Sequence, residues 1–241
     1  MAKILGLKQL NQKKHDFLEN LPEWAKDCFG DLVGNFIMII WGMSGNGKSS
    51  FIMQLVKLLM MYGKVLYVGL EEGFEASMQM NVKRHLNEEE HSGLIEFADH
   101  TMTYDALIRK LKRKRSPRFI IIDSLQYWNI TYDMYKALKE MFPRKSFIFI
   151  SHAAGKIPDG KTADKIRYDA GIKVMVQGYI AHIISRYGGT KNYCIWEEGA
   201  KAYYDGPANL KRVINRLPAL KRRKSVPSKK KEKKEDEVCE S

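Results

Sequence analysis

Between residues 42 and 49 the sequence reads Gly42-Met43-Ser44-Gly45-Asn46-Gly47-Lys48-Ser49. The spacing matches GxxxxGK[ST], in which the glycines let successive backbone N–H groups turn toward phosphate oxygens. A short apolar run, 36–41, precedes it and an amphipathic stretch, 48–62, follows, so the strand–loop–helix context of the motif is present. The pattern predicts a loop that binds a nucleoside triphosphate, called the P-loop below. The alternative is a glycine-rich turn that binds no nucleotide.

The residue types within the P-loop predict a division of roles. Lys48 is expected to contact the β- and γ-phosphates, and the Ser49 hydroxyl is expected to ligate Mg²⁺. The start of a helix adds its positive end to this cradle. ATP and Mg²⁺ are therefore the predicted cofactors. The residues predicted to bind the nucleotide are Gly42, Met43, Ser44, Gly45, Asn46, Gly47, Lys48, Ser49 and Ser50.

Apolar runs and helical patterns alternate after the P-loop. Short runs rich in Ile, Val, Phe and Tyr predict strands buried on both faces, at 36–41, 64–70, 118–123 and 146–151. Amphipathic stretches predict helices between them, at 48–62, 75–86, 104–115 and 133–141. This alternation predicts an α/β fold, a mostly parallel sheet flanked by helices.

Three further segments carry weaker structural predictions. Two β-like runs, 178–185 and 192–197, are separated by a stretch that contains Gly188 and Gly189, which predicts a β-hairpin appended to the sheet. A short helix is predicted over 13–20, ended by Pro22, and a long surface loop over 152–167. The predicted organisation is an N-terminal extension (1–34), an ATPase core (35–215) and a disordered charged tail (216–241).

Composition limits the functional classes. Apolar residues make up 44% of the 241 residues, enough for a sizeable core, and no apolar run reaches the length of about 18 residues that a membrane span needs. The three cysteines are scattered without a CxxC spacing, which fits a reducing cytoplasm. The formal charge is +13, and 12 basic against 5 acidic residues place +7 of it within 211–241. This tail favours a polyanion partner such as nucleic acid, or it only keeps the chain soluble.

Acidic residues follow two of the predicted strands. Asp123 ends the run 118–123, where it is expected to lie beside Ser49 and hold Mg²⁺, or else to cap a helix together with Ser124. Glu71 and Glu72 end the strand after the P-loop helix, which is expected to neighbour the P-loop strand. Glu71 is the predicted base that orients the attacking water and Glu72 its partner, with an ambiguity of one residue. The alternative is an ordinary helix start.

His152 directly follows the predicted strand 146–151. It is a candidate sensor of the γ-phosphate that relays the nucleotide state to the segment behind it. The alternative is a surface histidine at the end of a strand.

Taken together, these motifs resemble the RecA-like ATPases, most closely the RadA and DnaB branch, over residues 34–204. The stretches that carry the resemblance are the P-loop, GLEE (69–72), IIIDSLQ (120–126), SHAAGK (151–156) and SRYGGTKNYCIWEEG (185–199). The resemblance implies that segments 126–133 and 153–167 contact DNA, and that Arg186 reaches the nucleotide of a neighbouring subunit in a ring or filament. Ile184 stands where RadA has a lysine, and Lys191 is the candidate replacement.

The residues of those two segments allow contacts with single-stranded DNA. Tyr127 and Trp128 could stack on bases, although aromatic residues after a strand also serve as core. The predicted phosphate contacts are Lys156, Lys161, Lys165 and Arg167. The sequence therefore predicts Mg²⁺-dependent ATP hydrolysis coupled to single-stranded DNA in a homo-oligomer. The alternatives are a KaiC-like regulatory ATPase without DNA and, less favoured, a small-molecule kinase.

Overall fold

The computed structural model describes residues 4–215. Its main feature is an eight-stranded sheet in the order β10-β9-β8-β1-β5-β4-β2-β3. The strands of this sheet are β1 (Ile37–Gly42), β2 (Val65–Gly69), β3 (Ile95–Ala98), β4 (Phe119–Asp123), β5 (Ser146–Ser151), β8 (Ile172–Gln177), β9 (Ile180–Ser185) and β10 (Tyr193–Cys194). A separate two-stranded hairpin is formed by β6 (Ala153–Ala154) and β7 (Ile157–Pro158).

Helices connect these strands and cover the sheet. They are α1 (Leu7–Asn11), α2 (Glu23–Phe29), α3 (Lys48–Met60), α4 (Ala76–His85), α5 (Glu88–His91), α6 (Tyr104–Leu111), α7 (Leu125–Trp128), α8 (Tyr132–Met141), α9 (Lys161–Asp169), α10 (Glu197–Tyr203) and α11 (Pro207–Ile214). The six strands from β8 to β3 are parallel, and β9 and β10 add antiparallel pairs at one side. Within residues 4–215, no helix combines the length and apolar character that crossing a membrane requires.

Strand β1 shows why the sheet is buried on both faces. Met38 and Ile40 belong to one apolar cluster, which includes α3, while Ile39 and Trp41 belong to a second cluster under α8 and α9. Alternate side chains of a strand point to opposite faces, so a strand with two covered faces needs a continuous apolar run. The predicted α/β fold with an appended antiparallel strand pair is confirmed, and β1, β2, β4 and β5 match the four predicted strands.

The predicted helix over 13–20 is wrong. That segment is not helical, and Phe17 forms an isolated bridge with Val33. Pro22 caps the start of α2 instead of ending a helix. A proline is tolerated there because the first N–H groups of a helix have no partner within it. Helix α2 then buries Ala25, Cys28 and Phe29 in the core.

The long surface loop predicted over 152–167 is also wrong. The segment forms the β6–β7 hairpin and then enters α9, which buries Ala163 and Ile166 against the second cluster. Only two buried side chains define the inner face of this helix, so the sequence pattern is weak. The polar residues at the other positions are typical of a loop, which is why the sequence pattern predicted one.

Strands β3 and β8 were not predicted. In β8 buried residues alternate with partly buried or exposed ones, as expected of a strand whose two faces are unequally covered. Gly178 and Tyr179 form its two-residue turn to β9, both with positive φ, as hairpin turns of this length require. The predicted pairing of 178–185 with 192–197 is present only as the short contact of β9 with β10. The predicted tail, 216–241, lies outside the described residues.

Candidate nucleotide-binding site

The P-loop runs from the end of β1 to the start of α3. Two of its positions require glycine for different structural reasons. Gly47 is the residue before the first turn of α3 and has φ +92°, in the left-handed region that favours glycine. Gly42 lies against β8, where a Cβ atom would come within 2.5 Å of the Val176 carbonyl oxygen. The loop therefore keeps a curled backbone, and its residues line one cleft.

The turn between β8 and β9 supports the P-loop from the side. The Gly178 N–H donates to Asn46 Oδ1 at 2.8 Å, and the Tyr179 N–H donates to the Asn46 carbonyl at 3.1 Å. The Tyr179 ring packs edge-on against Trp196, with centroids 4.9 Å apart. Sequence reasoning missed this support because β8 itself was not predicted. Asn46 thus faces the turn and not the cleft.

A cleft of about 490 Å³ opens above the P-loop. It gathers the predicted base and its partner, the predicted metal ligands and the predicted sensor, together with every predicted nucleotide-binding residue except Asn46. The residues that line it are Gly42, Met43, Ser44, Gly45, Gly47, Lys48, Ser49, Ser50, Glu71, Glu72, Asp123, His152, Ala153 and Tyr179. Residues at the ends of five strands, β1, β2, β4, β5 and β8, therefore share one cavity.

Asp123 ends β4 at the edge of the sheet where the P-loop lies. Its Oδ2 accepts a hydrogen bond from the Tyr67 hydroxyl, and its carbonyl oxygen accepts the N–H groups of Leu70 and Glu71. Burial raises the pKa of Asp123 above its usual value, while the Tyr67 hydrogen bond and the Lys48 charge act in the opposite direction. Burial also raises the pKa of Tyr67 well above its ordinary value, so its hydroxyl stays protonated.

Glu71 and His152 meet across the cleft. His152 Nε2 lies 2.9 Å from Glu71 Oε2, and both side chains keep more than a third of their surface exposed. The expectation that the Glu71 strand neighbours the P-loop strand is wrong, because β4 and β5 lie between β2 and β1. Glu71 still reaches the cleft, since all these parallel strands end at the same edge.

Gln126 holds His152 in this arrangement, whereas Glu72 has a separate partner. Gln126 Oε1 accepts the His152 N–H at 3.2 Å, and Gln126 Nε2 donates to Ser151 Oγ at 2.8 Å. Gln126 thereby fastens the end of β5 to α7, a role that the sequence did not reveal. Glu72 points to the start of α4, where it accepts a hydrogen bond from Ser77 Oγ at 3.1 Å.

The donor set of the cleft suits Mg²⁺ supplied together with a nucleotide. Among the described residues, no group of three or more His, Cys, Asp or Glu side chains could hold a metal by itself. The cleft does combine the Ser49 hydroxyl with the Asp123 carboxylate. Mg²⁺ prefers such hard oxygen ligands and is commonly held by one or two protein groups plus substrate phosphates.

Comparison with known proteins identifies a solved structure with a similar fold. No protein-family model matches the sequence, and no curated protein does. Among solved structures, the flagellar accessory protein FlaH from Methanocaldococcus jannaschii aligns with 74% of this chain and 93% of its own, at a TM-score of 0.52 and 16% identity. The fold is RecA-like. At this identity the likeness concerns the fold alone, so the narrower resemblance to RadA and DnaB stays a prediction.

In this RecA-like frame the two predicted stacking residues differ in access. Tyr127 is 55% exposed, and its ring lies edge-on to His152 with centroids 6.3 Å apart. Trp128 instead packs against Tyr104 and the second apolar cluster, and its indole N–H is buried without a hydrogen-bond partner among the described residues. The ring of Trp128 thus contributes to the core, and Tyr127 is the accessible one.

The predicted phosphate contacts lie on the β6–β7 turn and on α9. Lys156, Lys161 and Lys165 are exposed, and Lys165 lies 5.6 Å from the centre of the Tyr132 ring. Arg167 pairs with Asp164 at 2.7 Å. Three lysines are therefore open to solvent, whereas the guanidinium group is engaged.

Arg186 lies at the end of the sheet's strands that is opposite to the P-loop. It follows Ser185, which pairs with Ile172 at the start of β8, whereas the other end of β8 meets Gly42 of the P-loop. A six-residue strand spans roughly 20 Å, so Arg186 is far from the cleft of its own chain. Its guanidinium donates to the Tyr168 carbonyl at 3.0 Å. Lys191, the candidate replacement cation, pairs with Asp27 of α2 at 2.8 Å.

Proposed function

We propose that this chain is a Mg²⁺-dependent ATPase. The observation that carries the proposal is the convergence of the P-loop, Lys48, Ser49, Asp123 and Glu71 on one cleft. A phosphate-binding loop alone does not hydrolyse a nucleotide. A carboxylate near the metal and a second one able to orient water supply what hydrolysis needs.

Each side chain has a separate task in the proposed reaction. Lys48 and the P-loop amides bind the phosphates, while Ser49 and Asp123 hold Mg²⁺, which when bound neutralises charge on the β- and γ-phosphates. Glu71 orients the water for in-line attack on the γ-phosphorus. In the structure its carboxylate is hydrogen-bonded to His152. A γ-phosphate competes for the His152 ring and leaves Glu71 to the water, which makes His152 the sensor.

We further propose that the ATPase, with its core at 35–215, works on single-stranded DNA as a head-to-tail ring or filament. Tyr127 supports this because it is exposed and lies beside His152, so the base-stacking surface adjoins the proposed sensor. Arg186 supports assembly because it lies at the end of the strands that is far from the cleft of its own chain. A neighbouring subunit would be needed to bring this cation to a nucleotide.

A KaiC-like regulatory ATPase without DNA is the second candidate. Trp128 packs into the core, and α9 is anchored by Ala163 and Ile166. Segment 153–167 is therefore not an open loop that a DNA strand could order on binding. ATP hydrolysis measured with and without single-stranded DNA separates the two candidates. Stimulation supports the DNA function, whereas an unchanged rate together with no DNA binding at low salt supports the regulatory one.

Calorimetry with ATP and Mg²⁺ tests the proposed ATPase. Lys48→Ala is expected to abolish hydrolysis, because the side chain that contacts the β- and γ-phosphates is lost. Lys57→Ala is the matched control, since Lys57 is exposed on the same helix and far from the cleft. If the folded wild-type protein binds no nucleotide at millimolar concentration, the proposal fails.

A further inference from the structure

Tyr67 is a polar side chain of the site that the sequence did not single out. It lies in β2 with 4% of its surface exposed, and its hydroxyl donates to Oδ2 of Asp123. The register of β2 and β4 brings Tyr67 close to Asp123. The two strands pair in parallel, and Tyr67 lies beside Ile121, two residues before Asp123. The ring packs tilted against Phe97 of β3, with centroids 5.8 Å apart, so its position is fixed by the core.

This hydrogen bond limits what Asp123 can offer to a cation. A carboxylate has two oxygens, and either one or both can face a metal ion. With Oδ2 engaged by a fixed hydroxyl, Oδ1 is the oxygen left for the metal or for a metal-bound water. Contact of a metal with both oxygens of Asp123 is therefore disfavoured, because Oδ2 already shares its lone pairs with the Tyr67 hydroxyl.

The space beside Asp123 is equally restrictive. Behind the cleft, a cavity of only about 10 Å³ is bordered by Tyr67, Asp123, Ser49, Asn81 and Glu72, and the Glu72 carboxylate accepts a hydrogen bond from Ser77. Such a volume holds about one water molecule. Asn81 also donates to the Ser49 carbonyl at 3.4 Å, which joins α4 to the P-loop helix at this corner. The space behind Asp123 therefore admits no ligand larger than about one water molecule.

We propose that Tyr67 determines the metal specificity of the nucleotide site, holding Asp123 in a single-oxygen arrangement that favours Mg²⁺ over Ca²⁺. Mg²⁺ is small and octahedral, keeps several waters, and needs few protein oxygens. Ca²⁺ takes six to eight oxygens and commonly uses both oxygens of a carboxylate. Tyr67 thus acts as a positioning residue, through Asp123. The proposal rests on the proposed function, since the metal arrives with the nucleotide.

Binding of a non-hydrolysable ATP analogue, measured by calorimetry with saturating Mg²⁺ or Ca²⁺, tests the proposal. The wild-type protein is expected to bind the analogue more tightly with Mg²⁺. In Tyr67→Phe this preference is expected to fall by about tenfold, the factor that corresponds to losing one hydrogen bond to a charged group. Tyr104→Phe is the matched control, because it also removes one hydroxyl, here bound to the Met134 carbonyl at 2.9 Å.

The outcomes separate this proposal from the function on which it rests. Absence of analogue binding with either metal overturns the ATPase itself. Binding by a folded Tyr67→Phe protein with an unchanged metal preference overturns only the role of Tyr67. If that variant does not fold, the wild-type protein decides, since equal affinity with the two metals contradicts the proposal.

Discussion

Replacing Glu71 by glutamine separates a catalytic role of this residue from a structural one. The amide keeps the size of the side chain and can still hydrogen-bond to His152, but it cannot accept a proton from water. A general base contributes about 10²–10⁴ in rate, equivalent to roughly 3–5 kcal/mol of barrier. By contrast, the Glu71–His152 pair is more than a third exposed on both sides. Exposed pairs contribute at most about 1 kcal/mol to stability.

We therefore expect Glu71→Gln to bind ATP and to lose at least about a hundredfold in hydrolysis rate, while its thermal stability changes little. Single-turnover hydrolysis with radiolabelled ATP, calorimetric binding and thermal denaturation measure the three quantities. Glu75→Gln is the matched control, since Glu75 is an exposed residue at the start of α4 that does not line the cleft. Normal hydrolysis by Glu71→Gln would refute the assignment, and Glu72 would then be tested as the base.

Two further predictions concern assembly and backbone packing. Arg186→Ala is expected to keep nucleotide affinity and to lose the rise in specific activity with protein concentration; full activity of a dilute monomer would contradict the proposed contact between subunits. Gly42→Ala is expected to lower the free energy of unfolding by about 1–3 kcal/mol, as overpacking does, because the added methyl would meet the Val176 carbonyl. Chemical denaturation measures this, and Gly6→Ala, whose methyl meets no atom within 4 Å, is the control. Equal losses in both variants would show that the contact with β8 does not matter.

The local patterns that proved reliable were those with continuous apolar runs. A run such as 36–41 is apolar at every position because β1 is covered on both faces. Strand β8 escaped prediction because only one of its faces is deeply buried, and its alternating pattern includes Lys173 and Gln177. Helix α9 escaped because its inner face consists of so few side chains.

The sequence by itself determined the phosphate loop, the strand–helix alternation and the acids at the strand ends, since each depends on neighbours along the chain. Tertiary structure alone decided the strand order, which inserts β4 and β5 between β1 and β2. It also decided the meetings of Tyr67 with Asp123, Glu71 with His152, and Asn46 with the β8–β9 turn. These contacts join residues 56, 81 and 132 positions apart. Local patterns carry no information about such distances, because packing of the sheet sets which strand ends become neighbours.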